Sequence, residues 1–280
     1  MKRLSLALEV SNLGETTHIW FPAAPGSDEK IRTWFDITPT EIQTDKKYGN
    51  KIAYFYFSHK DSPWRTPRRV LKIVAVYPIT ETKTLYCEPK KFLHPNQFVQ
   101  SDDATIINIA EILIKNYSTD EEKARSCFNF VVSYLAYANP IHGLYSSLQA
   151  LTDRRVDCGG FSTLLVALLR AIKISARCVF GWAIQSKFGY HAWVEFYDRQ
   201  KKVWVPADPS VSHLGNRTKL DAGFGFINDY RIALSVGEDI DLVGNKIFWT
   251  TPLLQSPVVV SFNEFGLPQP TFENLKWSIV

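Results

Sequence analysis

The sequence is poor in the residues that build cross-linked or metal-stabilised proteins. Its 280 residues include four cysteines and one methionine. Four cysteines are too few for a disulfide framework at this length, and no C-x-x-C motif is present, so a zinc site made by cysteines alone is not expected. The chain also lacks the D-x-D-x-D-G pattern of a calcium loop. We therefore expect neither a resident metal nor an organic cofactor.

Concentrated charge and long apolar runs are also missing. The formal net charge is +4 with no run rich in Lys or Arg, which argues against a nucleic-acid partner. No stretch approaches the ~20 apolar residues of a membrane span. The start, MKRLSLALEV, resembles a signal peptide, but Ser5 and Glu9 interrupt its apolar run and no small-residue cleavage site follows. We expect a soluble, cytoplasmic protein, and the sequence favours no particular oligomeric state.

What is present is a large apolar fraction, arranged at first in strands. Hydrophobic residues make up 45 % of the chain and aromatic residues 14 %, which is ample for a core. Residues 1–95 alternate in polarity or are rich in β-branched and aromatic residues, and turn residues separate these runs. The pattern predicts an all-β, sandwich-like domain over residues 1–97.

Helical periodicity begins near residue 101. It predicts a helix over residues 102–115, a second helix after Thr119 and Glu122, which form a capping-box pattern, and a third after Cys158. From Lys173 to about residue 209 the period changes to two, as in strands. The fold class is therefore α+β.

The segments divide into three predicted regions. We expect a core over residues 98–235, with its helices packed on an antiparallel sheet. Residues 236–280 return to a strand-like pattern. We predict that they rejoin the N-terminal β-domain, because residues 1–95 leave sheet edges to cover.

Cys158 is the candidate nucleophile. It stands at the start of the third helix in DCGGFSTLLVALLR, where unpaired N–H groups and the helix dipole favour the thiolate. Gly159 and Gly160 permit a tight turn and leave space for a substrate carbonyl, and the N–H of Cys158 could donate to an oxyanion. The alternative is a helix start with a buried thiol. The other cysteines occupy apolar settings and are expected to be small buried hydrophobes: Cys87, Cys127 and Cys178.

A base and its partner are found in YHAWVEFYDRQKKVWVPADPS, residues 190–210. We expect a hairpin whose turn is centred on Arg199 and Gln200, which puts an apolar face inward. In that register His191 lies directly opposite Asp208, within reach of a hydrogen bond that would fix the imidazole tautomer and stabilise its charged form. An edge histidine satisfied by a surface aspartate is the alternative.

These motifs resemble the transglutaminase-like superfamily of papain-type folds, in a bacterial-type member. The matching pieces DCGGFSTLLVALLR, SARCVFGW, YHAWVEFY and WVPADPS occur in the family's order with similar spacings. The resemblance covers residues 102–210. It implies that Cys158 is the nucleophile, His191 the general base and acid, and Asp208 the orienting residue. Relatives often have a glycine after the helix, whereas this chain has Lys173 in KISAR.

The resemblance implies attack of a thiolate on an amide carbonyl to give a thioester. Hydrolysis of a peptide or protein amide is our first expectation, because water is always available. Transglutaminase-type or small-amine acyl transfer stays open, and so does a non-enzymatic module that binds peptides through the same cleft. We predict that Trp182, Tyr190 and Trp193 line a peptide groove, with ordinary aromatic packing as the alternative.

Overall fold

A computed structural model describes residues 3–23, 33–58, 70–78, 88–184, 188–214, 222–225 and 231–280. The predicted burial of Cys87 falls outside these ranges. The strands are β1 (Arg3–Ser11), β2 (Thr16–Ala23), β3 (Trp34–Phe35), β4 (Glu41–Thr44), β5 (Lys51–Ser58), β6 (Leu71–Pro78), β7 (Ala136–Tyr137), β8 (Arg155–Val156), β9 (Ala176–Ile184), β10 (Phe188–Asp198), β11 (Val203–Ala207), β12 (Arg231–Val236), β13 (Ile240–Gly244), β14 (Ile247–Thr251), β15 (Val258–Phe262), β16 (Pro268–Gln269) and β17 (Phe272–Ile279). The helices are α1 (Ala104–Ile114), α2 (Asp120–Tyr134), α3 (Ser147–Asp153), α4 (Cys158–Ala171) and α5 (Val211–Leu214), with a 3-10 turn at Pro89–Phe92.

The N-terminal strands form two sheets that share one apolar core, here called the two-sheet unit. The sheet orders are β17-β1-β6-β3 and β16-β15-β2-β5-β4. Alternate residues of β1, from Leu4 to Val10, are buried against Phe21 of β2 and Phe55 of β5. This alternation is what a strand with one buried face requires, so the strand-rich N-terminal region agrees with the sequence pattern.

The last three strands, β15 to β17, lie in the same two sheets, whereas β13 and β14 pair with each other. β15 pairs with β2, with Val260 opposite His18, and β17 pairs with β1, with Trp277 opposite Leu6. The last strands thus lie at edges of the sheets that the N-terminal strands form. The division of the chain at residues 97 and 235 into separate domains stays a prediction.

The second unit is an antiparallel sheet of order β11-β10-β9-β12 with helices packed on it. Helix α4 contacts β9 and β10, while α1, α2 and α3 pack around α4. Every residue from Gly159 to Arg170 is buried. α4 is therefore the central helix of an α+β core, which agrees with the predicted fold class. No helix within the described ranges is long and apolar enough to span a membrane.

The helix ends explain where each helix begins and stops. Thr119 and Glu122 form the expected capping box at the start of α2. At the end of α4, Lys173 has φ +61°, and the N–H of Ile174 donates to the carbonyl of Leu169 at 2.9 Å. This is the hydrogen-bond pattern of a Schellman motif, in which a lysine occupies the left-handed position that glycine usually fills.

The predicted register of the β10–β11 hairpin is wrong by two residues. The structure pairs Val194 with Ala207 and Asp198 with Val203, so the loop holds four residues and its centre lies one residue further along than expected. The Asp198 side chain accepts hydrogen bonds from the N–H groups of Gln200 and Lys201, both at 2.9 Å, which fixes this turn. A shift of two residues leaves each side chain on the same face, so the apolar pattern did not exclude it.

Buried polar groups join α4 to the segment that follows β12. The Arg170 guanidinium lies 3.2 Å from the Glu238 carboxylate, and both side chains are almost inaccessible. Glu238 also accepts hydrogen bonds from the side chain of Asn96 and the N–H of Cys178. The C-terminal half of α4 and the strand β9 are thereby anchored to the segment that follows β12.

Candidate active site

Cys158 is the first residue of α4, and Asp157 caps that helix. The Asp157 carboxylate accepts hydrogen bonds from the N–H of Gly159 at 2.9 Å and of Gly160 at 3.2 Å. Within the described residues, the N–H of Cys158 is the donor at this helix start that remains for a ligand. Cys158 is partly exposed, whereas Cys127 and Cys178 are buried, and burial raises the pKa of the Cys127 thiol to about 12.

The two glycines after Cys158 make room for the protein itself. A Cβ on Gly159 would lie 2.9 Å from Leu144 Cδ1, and one on Gly160 would lie 2.7 Å from the Val156 side chain. The sequence suggested that these glycines leave space for a substrate carbonyl. Instead, neighbouring side chains fill that space, and the glycines allow α4 to start against β8.

His191 and Asp208 form a short buried contact. His191 Nε2 lies 2.6 Å from Asp208 Oδ2, and neither side chain exposes more than 5 % of its surface. The ladder between β10 and β11 ends at Val194, so this contact does not arise from the cross-strand pairing that the sequence suggested. Asp208 instead follows β11 in a turn.

That turn holds the Asp208 carboxylate from several directions. Its Oδ1 accepts hydrogen bonds from the N–H of Ser210 at 3.0 Å and from the Ser210 hydroxyl at 2.7 Å. The N–H of Asp208 donates to the carbonyl of Gly223 at 2.8 Å. Gly223 has φ +94°, and a Cβ there would lie 2.5 Å from the carbonyl oxygen of Asp208, so this close approach requires glycine.

The Cys158 thiol lies close enough to the His191 side chain to raise the pKa of that imidazole. Because Nε2 faces Asp208, Nδ1 is the ring nitrogen that remains for the thiol. The structure thus brings the three predicted residues together in the order thiol, imidazole, carboxylate. This is the geometry that nucleophile, base and orienting group require.

Electrostatics favour a charged imidazole in this arrangement. Burial lowers the pKa of His191, but the charge and hydrogen bond of Asp208 and the contact with Cys158 outweigh it and raise that pKa to about 9. Burial would raise the pKa of Asp208, but the positive charges of His191 and Arg231 hold it well below its usual range. At neutral pH the site therefore favours an imidazolium beside a carboxylate, which stabilises an adjacent thiolate.

Two residues beside the triad of Cys158, His191 and Asp208 were not predicted from the sequence. Arg231, the first residue of β12, places its Nη2 2.6 Å from Asp208 Oδ2. Tyr137 of β7 makes a hydrogen-bonding contact with the Cys158 thiol, and its ring packs 6.3 Å from that of Phe161. Burial, followed by the negative charge of Cys158, raises the pKa of Tyr137, which keeps its hydroxyl protonated as a donor.

The three aromatic residues predicted to line a groove take different positions. Trp193 is fully buried, with its ring stacked 6.3 Å from that of His191, and Trp182 is 2 % exposed with its indole N–H donating to the carbonyl of Gln255. Both indoles lie beneath the surface because they pack in the junction with the two-sheet unit, and their role in a peptide groove stays a prediction. Tyr190 is 44 % exposed and lies 4.4 Å from Trp182, so its contact with a peptide stays a prediction.

No group of three or more His, Cys, Asp or Glu side chains is arranged to hold a metal ion in the part of the chain that the structure describes.

Comparisons with known proteins find a matching family model and similar folds. Residues 107–209 match the family model of the transglutaminase-like superfamily. The fold is similar to the crystal structure of a candidate cysteine protease from Cytophaga hutchinsonii, with a TM-score of 0.62 and 14 % identity over 100 % of this chain and 90 % of that one. The periplasmic domain of TgpA from Pseudomonas aeruginosa, bound to ethylmercury, has a TM-score of 0.36 and 18 % identity over 72 % of this chain and 74 % of that one. A search of the curated proteins finds no match.

Fold and site together define a thiol-dependent class of protein with an α+β core. The part of the chain that carries the sequence pattern of the transglutaminase-like superfamily is residues 107–209.

Proposed function

We propose that the protein hydrolyses an amide bond of a peptide or protein through a thioester on Cys158. The observation that supports this proposal is the contact of a partly exposed thiol with a buried imidazole that is itself held by a carboxylate. A thiol used only for packing would not need a histidine and an aspartate aligned behind it.

The reaction follows from the positions of these groups. The Cys158 thiolate attacks the amide carbon, and the negative charge on the carbonyl oxygen is stabilised by the N–H of Cys158 and by the Tyr137 hydroxyl. The His191 imidazolium gives its proton to the departing amine as the C–N bond breaks, which leaves an acyl thioester. His191 then takes a proton from water, the resulting hydroxide attacks the thioester, and the thiolate and a carboxylic acid are released. Asp208 stays ionised throughout and stabilises the imidazolium.

The first test is selective reaction of the thiol. We expect brief treatment with iodoacetamide at pH 7 to alkylate Cys158 at least tenfold faster than Cys127 or Cys178, because only Cys158 is partly exposed and paired with a base. Peptide mass spectrometry after the reaction measures this. His191→Gln should remove the difference while leaving the fold intact by circular dichroism. Equal labelling of Cys127 or Cys178 would contradict the proposal.

The second test identifies the acceptor. Wild type and Cys158→Ala are incubated with a cell-derived peptide library in ¹⁸O-labelled water that also contains a tagged primary amine. We expect ¹⁸O in new carboxyl ends with wild type only. Tagged products would instead assign amine transfer. If wild type and Cys158→Ala give no labelled products but both bind the same peptides, the site is a non-enzymatic peptide-binding module.

A further inference from the structure

Arg231 is a buried arginine that contacts the Asp208 carboxylate. It contacts the same oxygen, Oδ2, that contacts His191. We propose that Arg231 is a positioning residue of the active site, which fixes the Asp208 carboxylate and supplies the positive charge that balances it. The inference rests on the proposed function, because it assigns a further residue to the same triad.

The geometry of the contact is specific. Arg231 Nη2 and His191 Nε2 each lie 2.6 Å from Asp208 Oδ2, so two donors meet at one oxygen. The Arg231 side chain is 5 % exposed, and its guanidinium lies 5.7 Å from the centre of the Trp193 ring, which also stacks with His191. Arg231 and Trp193 therefore both pack against the His191–Asp208 pair.

The fold brings Arg231 to this position through a glycine. Gly181 of β9 pairs with His191 on one side and with Ala233 of β12 on the other. A Cβ on Gly181 would lie 1.8 Å from the carbonyl oxygen of Ile232, a distance that no side chain tolerates. The glycine thus lets β12 approach β9 closely, directly beside the strand position that carries His191.

The charges around Arg231 define what its removal would do. The ionisable groups of the site are Asp208 in the turn after β11, His191 on β10, Cys158 and its cap Asp157 at the start of α4, and Tyr137 on β7. With Arg231 present, Asp208 is balanced and the thiolate and imidazolium balance each other. Without Arg231, the site loses the positive charge that balances Asp208 and becomes more negative by one charge. That charge opposes formation of the thiolate and favours retention of the imidazolium proton.

The test is the pH dependence of Cys158 alkylation, which has an acid limb where the thiolate forms and an alkaline limb where the imidazolium is lost. Arg231→Gln should move both limbs to higher pH by about one unit, because a nearby positive charge is removed. Arg231→Lys keeps the charge and should leave both limbs within about 0.3 units of wild type. The probe throughout is iodoacetamide, with thermal melts recorded on the same samples.

A matched control separates electrostatics from loosened packing. Arg177 forms a buried pair with Glu195 in the same sheet, at 2.7 Å. Arg177→Gln should therefore lower the melting temperature without moving the limbs together to higher pH. If Arg231→Gln does not fold, the same comparison is made between Asp208→Asn and the double variant Asp208→Asn with Arg231→Gln, where loss of the positive charge again shifts both limbs upward.

The possible outcomes separate this inference from the proposed function. If wild-type Cys158 shows no alkylation at acid and neutral pH, the proposed function fails. If wild type shows both limbs and Arg231→Gln leaves them in place, Arg231 has a structural role only. A shift that Arg231→Lys reproduces in full would also overturn the assignment, because charge would then not be the cause.

Discussion

The Asp208 carboxylate carries one negative charge and contacts four hydrogen-bond donors. They come from His191 Nε2, Arg231 Nη2 and the N–H and hydroxyl of Ser210. A buried carboxylate with this many donors has neither of its oxygens left for solvent. Its charge and its hydrogen-bonding capacity are therefore both required, and they can be separated by substitution.

Asp208→Asn removes the charge and replaces one oxygen with a donor. We expect the rate of Cys158 alkylation at pH 7 to fall by about tenfold or more, since the imidazolium loses its partner. We also expect the free energy of unfolding to fall by about 3 kcal/mol, because Arg231 would remain buried without its carboxylate. Alkylation rates and urea unfolding measure the two effects.

Glu195→Gln is the matched control for this substitution. Glu195 is 4 % exposed and paired with Arg177, so its neutralisation should cost similar stability. It does not contact His191 or Cys158, so the alkylation rate should stay within about threefold of wild type. Equal losses of reactivity in both variants would assign Asp208 a purely structural role.

Local sequence patterns identified the members of the triad but not their neighbours. Cys158 precedes a helical pattern, and His191 and Asp208 end strand patterns, so each can be recognised from its own segment. Arg231 is the first residue of the strand RIALSV, and Tyr137 belongs to a strand of two residues. Neither position has a local pattern, because their roles depend on how distant strands pack.

At the level of the elements, the β10–β11 hairpin shows which information the sequence carries. The alternation of apolar and polar residues predicts which side chains face α4. In the structure, Val194, Phe196 and Ala207 lie in the core that α4 shares. It did not determine the register, because a shift of two residues preserves both faces. The register depends on the turn, where the Asp198 side chain accepts two backbone N–H groups and Lys202 has φ +55°.

The end of α4 offers a direct test of backbone strain. Lys173 has φ +61°, a left-handed conformation that glycine adopts without steric cost. Lys173→Gly should therefore raise the free energy of unfolding by about 0.5–1 kcal/mol and leave the alkylation rate of Cys158 unchanged. Urea unfolding with unaltered cooperativity is the measurement.

A second lysine at a helix end is the control for the first. Lys115 caps α1 with φ −50°, in the right-handed region. A glycine there relieves no steric strain and only gives the backbone more conformational freedom to lose on folding. Lys115→Gly should therefore be neutral or destabilise by up to about 1 kcal/mol. Stabilisation by both substitutions would mean that the left-handed conformation is not the cause.

For the whole molecule, a buried histidine fastens a hairpin to the two-sheet unit. His18 is 2 % exposed, and its Nδ1 lies 2.8 Å from the Tyr54 hydroxyl. That hydroxyl accepts the N–H of Asn245, in the turn between β13 and β14, at 2.7 Å. The Tyr54 proton is then available for His18 Nδ1, which must be unprotonated to accept it.

This contact makes the stability of the protein dependent on pH. Burial lowers the pKa of His18 to about 4, so between pH 6.5 and 4 the unfolded chain binds a proton that the folded chain does not. Stability is therefore complete above pH 6.5 and falls as the pH decreases through this window. We expect His18→Gln to remove about 1–2 kcal/mol of the loss between pH 7 and pH 5.

Urea unfolding at both pH values measures this difference, and an exposed histidine provides the control. His142 lies on the surface, so His142→Gln should leave the pH dependence as it is in wild type. If His18→Gln loses as much stability between pH 7 and pH 5 as wild type does, other groups cause this loss.

The pairing of β1 with β17 has a consequence for synthesis of the protein. Leu4 lies opposite Ile279, so every residue up to β17 must leave the ribosome before β1 acquires this neighbour. The helices and strands that carry Cys158, His191 and Asp208 emerge earlier and have closer partners in sequence, so they can assemble while β1 still has an open edge. Contacts between such distant residues form slowly and leave apolar strands exposed in the meantime. Newly made chains should therefore acquire a reactive thiol before they become resistant to proteolysis in the first strands.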